Sequence, residues 1–317
     1  MMENNSEVSF SILIPAYKGR FLEMAISSVL CQSYDNWELV IVDDCSPENL
    51  KAIVEGFEDS RIRYYRNERN FGAIDVVDNW NKCLDYAKGD YVICMGDDDM
   101  LCPNCLVEYL SLIEKYPGLD VFHGMTEIID EDGKVIDLQE GRPEYETTYS
   151  LIYYRWLGRS QYIGDFLFRR SVLLELGGFY KLPLAWASDD ISAIRASGKK
   201  GIANTLPAVF RYRSSAITIS SSGSVELKLK AISLEMEWYR LNMKSLYSKP
   251  IDDLFALKLD EMFNRVFFKK RMRLISGDIK EHPMHFFMWL FKRKQPGLSL
   301  RIVVFGLLSA IYNKYRS

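Results

Sequence analysis

No glycine-rich phosphate cradle occurs in the 317 residues, neither a P-loop nor a Gly-x-Gly-x-x-Gly. Phosphates are therefore not held in the way nucleotide-binding loops of those two types hold them. Histidine is scarce, at three residues, and His123 sits in an apolar run that reads as structural. The six cysteines include Cys102-Pro-Asn-Cys105, but that motif has no second pair and no thioredoxin-like setting, which argues against a zinc or redox role. Long apolar runs are missing too. The most extended, Leu298 to Tyr312, has 15 residues and contains Arg301, too short and too charged to span a bilayer. At the amino end Met1 to Glu7 is polar, and no basic segment precedes the apolar run Val8 to Pro15. The expectation is a cytoplasmic protein without a signal peptide and with reduced cysteines.

What is present points to a globular chain: 48% apolar and 26% charged residues are enough for a substantial core. The net charge of −3 conceals an uneven distribution. From Lys258 onward 13 Lys and Arg stand against 4 Asp and Glu, so a basic tail follows an acidic body. Such a tail suits an anionic surface at one end of the molecule.

The central stretch is Gly89-Asp90-Tyr91-Val92-Ile93-Cys94-Met95-Gly96-Asp97-Asp98-Asp99-Met100-Leu101. Tyr91 to Met95 reads as a buried strand. It stops on three consecutive carboxylates, which repel one another and lose solvation if packed away. They are tolerable at the carboxyl end of a strand if a cation is present, and in open α/β sheets that edge binds ligands. Upstream, the strands Val8–Pro15, Trp37–Asp43 and Ile62–Arg66 alternate with helices from about Arg20, over Asn49–Phe57 and over Ala73–Ala87. The last has Ile74, Val77, Trp80, Leu84 and Ala87 on one face. This alternation predicts a parallel sheet with its loops gathered at the carboxyl ends. Three of those ends carry Pro15-Ala16-Tyr17, Asp43-Asp44 and Asp97–Asp99. A helix over Asn104–Tyr116, a strand over Asp120–Ile129, a hairpin turn at Asp130–Gly133, a strand over Tyr162–Arg169 and a short helix over Ser171–Leu176 follow. Residues 137–160 read as an irregular loop.

The carboxylates suit Mg²⁺ or Mn²⁺ held through one or two protein oxygens while pyrophosphate oxygens complete the shell. Asp43 or Asp44 can accept a hydrogen bond from a base N–H or a ribose hydroxyl. The acids of Ser188-Asp189-Asp190 can supply a general base for a hydroxyl nucleophile, a role typically worth 10²–10⁴-fold. The same residues also suit a helix cap, with Ser188 or Asp189 opening a helix at Ile191.

Ser11-Ile-Leu-Ile-Pro-Ala-Tyr17, Trp37-Glu-Leu-Val-Ile-Val-Asp-Asp-Cys-Ser46 and the block from Ala87 to Leu101 resemble, in this order, the motifs of family 2 glycosyltransferases. The resemblance spans roughly residues 8–220 and implies the GT-A nucleotide-diphospho-sugar fold, a Rossmann-like, mainly parallel sheet flanked by helices. It implies inverting transfer from a nucleotide-sugar donor, with UDP the expected nucleotide, to a saccharide or lipid-linked acceptor in surface polysaccharide or lipopolysaccharide assembly. Nucleic acid is not an expected partner. Pro15, Ala16 and Tyr17 would line the base and Asp43 would bond it. Asp98 would approach ribose or diphosphate, and Asp97 and Asp99 would frame the metal. Asp189-Asp190 resembles the family's Glu-Asp block, whose catalytic aspartate precedes an arginine by six residues, and with Arg195 in that place the resemblance implies Asp189 rather than Asp190 as the catalytic aspartate.

The chain departs from the family's pattern near Ser215, where a histidine often follows a Tyr-Arg pair; Arg211 or Arg213 would have to compensate. Residues 1–222 are the expected transferase domain and 223–317 a basic helical region. In that region Met284–Phe291 and Leu298–Tyr312 flank Lys292-Arg293-Lys294. Apolar aromatic stretches beside basic clusters suggest a helix lying in an anionic membrane interface, or else a cap on the core or on a second subunit. Two rival readings stand beside the transferase: a nucleotidyltransferase, which should carry a glycine-rich loop after its first strand, and a non-catalytic sugar-nucleotide-binding scaffold at the membrane.

Overall fold

The computed structural model describes residues 7–214, 224–248, 250–294 and 297–314. The expected boundary at 222/223 and the position at Ser215 lie outside these described residues. The amino-terminal half runs β1 (Phe10–Ala16), α1 (Leu22–Leu30), β2 (Trp37–Asp43), α2 (Leu50–Glu55), β3 (Ile62–Arg66), α3 (Val76–Tyr86) and β4 (Tyr91–Cys94). After the three aspartates come β5 (Met100–Leu101), α4 (Cys105–Lys115), β6 (Val121–Ile129), β7 (Val135–Leu138) and β8 (Tyr145–Glu146). Next are α5 (Thr148–Leu157), β9 (Phe166–Arg169), α6 (Arg170–Glu175), α7 (Ser188–Ser197) and β10 (Ile202–Arg213). The carboxyl-terminal helices are α8 (Val225–Asn242), α9 (Asp252–Glu281), α10 (His285–Lys292) and α11 (Leu300–Lys314).

Among the described residues the strands form one sheet in the order β3-β2-β1-β4-β9-β6-β10-β5, with β7 beside β6 and β8 beside β10. The first four strands are parallel. β9 then runs antiparallel to both β4 and β6, so the sheet is mixed rather than wholly parallel. Alternation along β1 explains the two-layered core. Phe10, Ile12, Ile14 and Ala16 pack with α1 and α4 on one face, whereas Leu13 joins α3, α5 and α7 on the other. The same second core takes in Ile232, Met236 and Tyr239 of α8 and Leu259, Met262 and Phe267 of α9. A separate apolar cluster binds Ile275 and Ile279 of α9 to Trp289 of α10 and Ile302 and Val303 of α11. Among the described residues no helix is long and apolar enough to cross a membrane.

Two elements depart from the sequence reading. The stretch 137–160 is not an irregular loop: it completes β7, adds β8 and forms α5. Its aromatic residues hid a helix whose Thr147 hydroxyl accepts from Ser150 N–H and whose Gly158 closes it at φ 122°, ordinary cap signals. At α3, Ile74 precedes the helix and is 48% exposed, so the buried face begins at Val77.

Candidate active site

The carboxyl ends of β1, β2 and β4 meet in a cavity of about 520 Å³. Pro15, Tyr17, Asp44, Asp97, Asp98, Asp99 and Asp189 all line it. Ala16 does not: strand alternation turns its methyl into the core, where it is fully buried, while its carbonyl accepts the Asp44 N–H at 2.8 Å. Asp43 and Asp44 part company for the same reason. Asp43 is fully buried and accepts from Ser46 N–H at 2.7 Å, from Tyr64 Oη at 2.6 Å and from the Arg66 guanidinium. The acid that reaches the cavity is Asp44, held by Asn67 and by the N–H groups of Phe71 and Gly72 at 3.0–3.2 Å.

The three aspartates after β4 are fixed individually. Tyr17 and Lys18 each donate a backbone N–H to Asp97 Oδ2 at 2.7 Å, tying this acid to the loop after β1. Asp99 is buried and accepts from Arg213 N–H at 3.0 Å and Gly96 N–H at 3.3 Å. Burial, reinforced by the Asp98 charge, pushes Asp97 up to about 6 and raises Asp99 well above the carboxylate range. Asp98 is raised as well, again chiefly by burial. Oxygen donors driven toward their neutral form by burial and mutual repulsion fit a hard divalent cation, which would favour the charged form. Among the described residues no three His, Cys, Asp or Glu side chains converge as one metal cage. A cation at this edge would take one or two protein oxygens and complete its shell from substrate oxygens.

The arginines expected to stand in for histidine are engaged elsewhere. Arg211 Nε donates to Glu127 at 2.8 Å. Arg213 is 1% exposed; its Nε donates to Asp98 O and its Nη1 to Asp130 O, both at 2.8 Å. Arg213 nevertheless builds the site, because its guanidinium and amide clamp the Asp98–Asp99 turn.

Across the cavity, α7 begins at Ser188 and neither Ser188 nor Asp189 caps it. The cap position is Ala187, with φ 65° and no side-chain cap bond. Leu184 and Ala185 also have positive φ, at 61° and 52°, and both line the cavity. Non-glycine residues in the left-handed region cost energy and persist where surrounding structure holds them, commonly beside ligands. Asp189 and Asp190 have opposite surroundings. Burial, with repulsion from Asp190, pushes Asp189 up to about 8. Burial acts on Asp190 too, but Arg155, Lys270 and Gln161 together outweigh it and hold Asp190 below the ordinary range. Arg155 Nε donates to both Asp190 oxygens at 2.7 and 2.9 Å, and Gln161 Nε2 adds a bond at 2.7 Å. Asp190 thus lies off the cavity as an ion-paired neighbour of Asp189. Arg195 donates to Leu176 O and covers the Tyr180 ring. His123 is buried against Phe166 and 3.3 Å from Asp165; burial lowers it to about 4, so it is a neutral core residue.

Several cavity residues carried no motif signal. Asn70, Gly72, Asn79 and Trp80 come from the segment after β3, and Tyr162 and Tyr212 stack at 3.8 Å between ring centroids on the far wall. The strand expected from Tyr162 begins only at Phe166, and no local pattern marked the contact of Tyr162 with Tyr212.

A mixed sheet with acids at the carboxyl ends of its parallel half, backed by helices, is the GT-A architecture. The crystal structure of S. aureus TarS 1-349 in complex with UDP-GlcNAc superposes with a TM-score of 0.64 at 16% identity, covering 98% of this chain and 93% of that one. The sequence model for glycosyl transferase family 2 matches residues 11–177, more than half of the chain. The chain belongs to that family. The putative colanic acid biosynthesis glycosyl transferase WcaA of Escherichia coli K12 is 41% identical over 113 residues, 35% of this chain and 39% of that protein. The Escherichia coli UDP-Glc:alpha-D-GlcNAc-diphosphoundecaprenol beta-1,3-glucosyltransferase WfgD is 36% identical over 126 residues, 39% of this chain and 48% of that protein. The chain thus spans less than half the length of these two curated relatives. The family match ends before Asp189, whose place in the site comes from the geometry.

Proposed function

We propose that this protein is an inverting glycosyltransferase that moves a sugar from a nucleoside-diphosphate donor, UDP in the first instance, to a hydroxyl of a saccharide or lipid-linked acceptor. The assembly of a cell-surface polysaccharide is its setting, in line with the names of the relatives. The observation that carries this reading is the convergence of Asp189 with Asp97, Asp98 and Asp99 on one cavity. A metal-and-diphosphate edge then faces a single carboxyl group suited to proton abstraction.

In this scheme Pro15 and Tyr17 flank the base, and Asp44, rather than Asp43, accepts from a base N–H or ribose hydroxyl. Asp98 approaches the ribose or diphosphate. A hard divalent cation, Mn²⁺ or Mg²⁺, held by Asp99 and Asp97 would offset the charge of the departing diphosphate. Asp189 takes the proton of the acceptor hydroxyl as that oxygen attacks the anomeric carbon in line. Asp190, locked by Arg155, positions Asp189 without touching substrate. Residues 1–222 form the transferase domain in this reading, and 223–317 a helical extension that shares its core.

A panel of nucleotide sugars tests the proposal: one of them should be hydrolysed or transferred in a Mn²⁺- or Mg²⁺-dependent way. Silence toward every donor, with and without metal, would remove it. Within the scheme, Asp44→Ala deletes a charged acceptor worth about 1.5–3 kcal/mol, so donor affinity by calorimetry should fall roughly 10- to 100-fold.

The exposed apolar residues of the last two helices support the membrane reading. Met284, Phe287 and Phe291 are 75, 54 and 85% exposed at one-turn spacing around α10, and Leu300, Val304 and Leu308 repeat this along α11. The basic run Lys292–Lys294 lies between them. The protein should float with liposomes containing anionic lipid at low salt, and a chain lacking residues 283–317 should not. Equal flotation of both chains, or of neither, contradicts peripheral attachment through these helices.

A further inference from the structure

Resting on the assignment of Asp189 as base, we propose that Glu235 on α8 and Lys270 on α9 are positioning residues that set the proton affinity of Asp189 through Asp190 and Arg155. Both lie far beyond the family match, in the helical extension.

The geometry ties the two regions together at one point. Lys270 Nζ donates to Glu235 Oε1 at 2.5 Å, and Glu235 is fully buried, its Oε2 without a hydrogen-bond partner. Beside Arg155 on α5, the Trp156 ring meets Tyr239 of α8 at 5.0 Å and Phe267 of α9 at 5.8 Å. Lys270 Nζ lies 5.5 Å from the Phe267 ring centroid, so the Glu235–Lys270 pair borders the aromatic cluster that flanks Arg155. Its charges act on the Arg155–Asp190 pair: Lys270 on Asp190, and Glu235 on Arg155. The groups bearing on Asp189 are therefore Asp190 on its own helix, Arg155 on α5 and Asp165 before β9, with Glu235 and Lys270 behind them.

Two buried anions and two cations make a neutral set, and Asp189 is the additional carboxyl group. Buried ion pairs seldom improve stability over apolar side chains of similar volume. Holding four charged groups between an active-site helix and a helical extension is therefore better explained by what they do to Asp189. Loss of one cation leaves net negative charge near Asp189 and raises its proton affinity. Loss of one anion lowers it. A unit charge on the order of 10 Å away, at an effective dielectric near 20, moves a pKa by about one pH unit.

The test is the pH profile of Mn²⁺-dependent turnover of UDP-glucose and UDP-N-acetylglucosamine by the full chain and its variants. Lys270→Met should move the midpoint of the acidic limb up by about one pH unit, and Glu235→Gln should move it down. The double variant should return it to the wild-type position. Binding of UDP with Mn²⁺, at the other wall of the cavity, should be unchanged in all three and reports an intact fold. If neither sugar nucleotide turns over, the readout is thermal unfolding. A group whose folded pKa is raised makes stability fall as pH rises from the ordinary aspartate value to its folded value. The pH at which that fall ends should shift in the same directions. Midpoints that stay fixed while turnover drops at every pH would mean a packing role and overturn the inference. Retained transfer in Asp189→Asn would instead overturn the assignment of the base.

Discussion

Replacing Asp189 by Asn should reduce sugar transfer by 10²–10⁴-fold while leaving UDP binding in the presence of Mn²⁺ within about twofold of wild type. The factor is that of a positioned general base. The separation of effects follows from the cavity, which Asp189 lines from α7 while the aspartates proposed for metal and diphosphate line it from the end of β4. The pH dependence carries the same signature. A base must be ionised to act, and burial with repulsion from Asp190 pushes Asp189 up to about 8. Turnover divided by KM should therefore climb as pH rises toward about 8 and fall tenfold per pH unit well below that midpoint. In Asp189→Asn this limb should vanish from the residual rate. Steady-state rates from pH 5 to 9 with a turned-over donor decide the matter. An unshifted limb in the variant would assign the ionisation to another group.

Asp99→Asn should fail at a different step. The amide keeps the volume, but Arg213 N–H and Gly96 N–H are received by different oxygens, Oδ1 and Oδ2, so the amide oxygen can keep only one of them, and the fold should survive with a modest fall in melting temperature. What is lost is the negative charge of a carboxyl group proposed to hold the divalent cation. Metal stabilisation of a leaving diphosphate is worth several kcal/mol, which corresponds to roughly 10²–10⁴-fold in rate. Transfer should fall by that factor, and the Mn²⁺ concentration for half-maximal activity should rise. Chelation by EDTA should abolish wild-type activity, with recovery on adding Mn²⁺ or Mg²⁺. In the proposed scheme the donor completes the metal shell, so Mn²⁺ affinity measured by calorimetry should be weak alone and rise sharply when UDP is present. Equal Mn²⁺ affinity with and without UDP would contradict a substrate-completed site.

The two variants together separate the site into halves. Asp189→Asn spares metal and nucleotide binding but loses proton abstraction; Asp99→Asn loses nucleotide–metal binding but keeps the ionisation near 8. A shared loss of all properties in both would indicate a collapsed cavity.

Much of the frame was legible in the chain because its cues are local. Alternating apolar runs and acids ending three separate runs are fixed by residues within a few positions of one another. They placed β1 to β4 and the acidic edge correctly. Cues that depend on distant partners were not legible. Strand alternation turns Asp43 and Asp44 to opposite faces, but which face is closed depends on distant partners: Tyr64 and Arg66 on the adjacent strand enclose Asp43, whereas Asp44 meets the cavity. Asp189 and Asp190 are likewise distinguished by Arg155, 35 positions away along the chain. The helix α5 escaped notice because its aromatic residues do not follow a clean amphipathic period: it is buried against α7 and α9 as well as the sheet.

By itself the amino-acid sequence determined the alternation of strands and helices as far as β4 and the carboxylates at one edge of the sheet, since these depend on short-range periodicity, and the family through the motifs it resembles. Which carboxylates share the cavity, which are neutralised by arginine, and that the carboxyl-terminal helices reach the surroundings of Asp189 were decided only by tertiary structure. The physical reason is that burial and charge pairing are properties of what surrounds a side chain, and here those surroundings come from segments far apart in the chain.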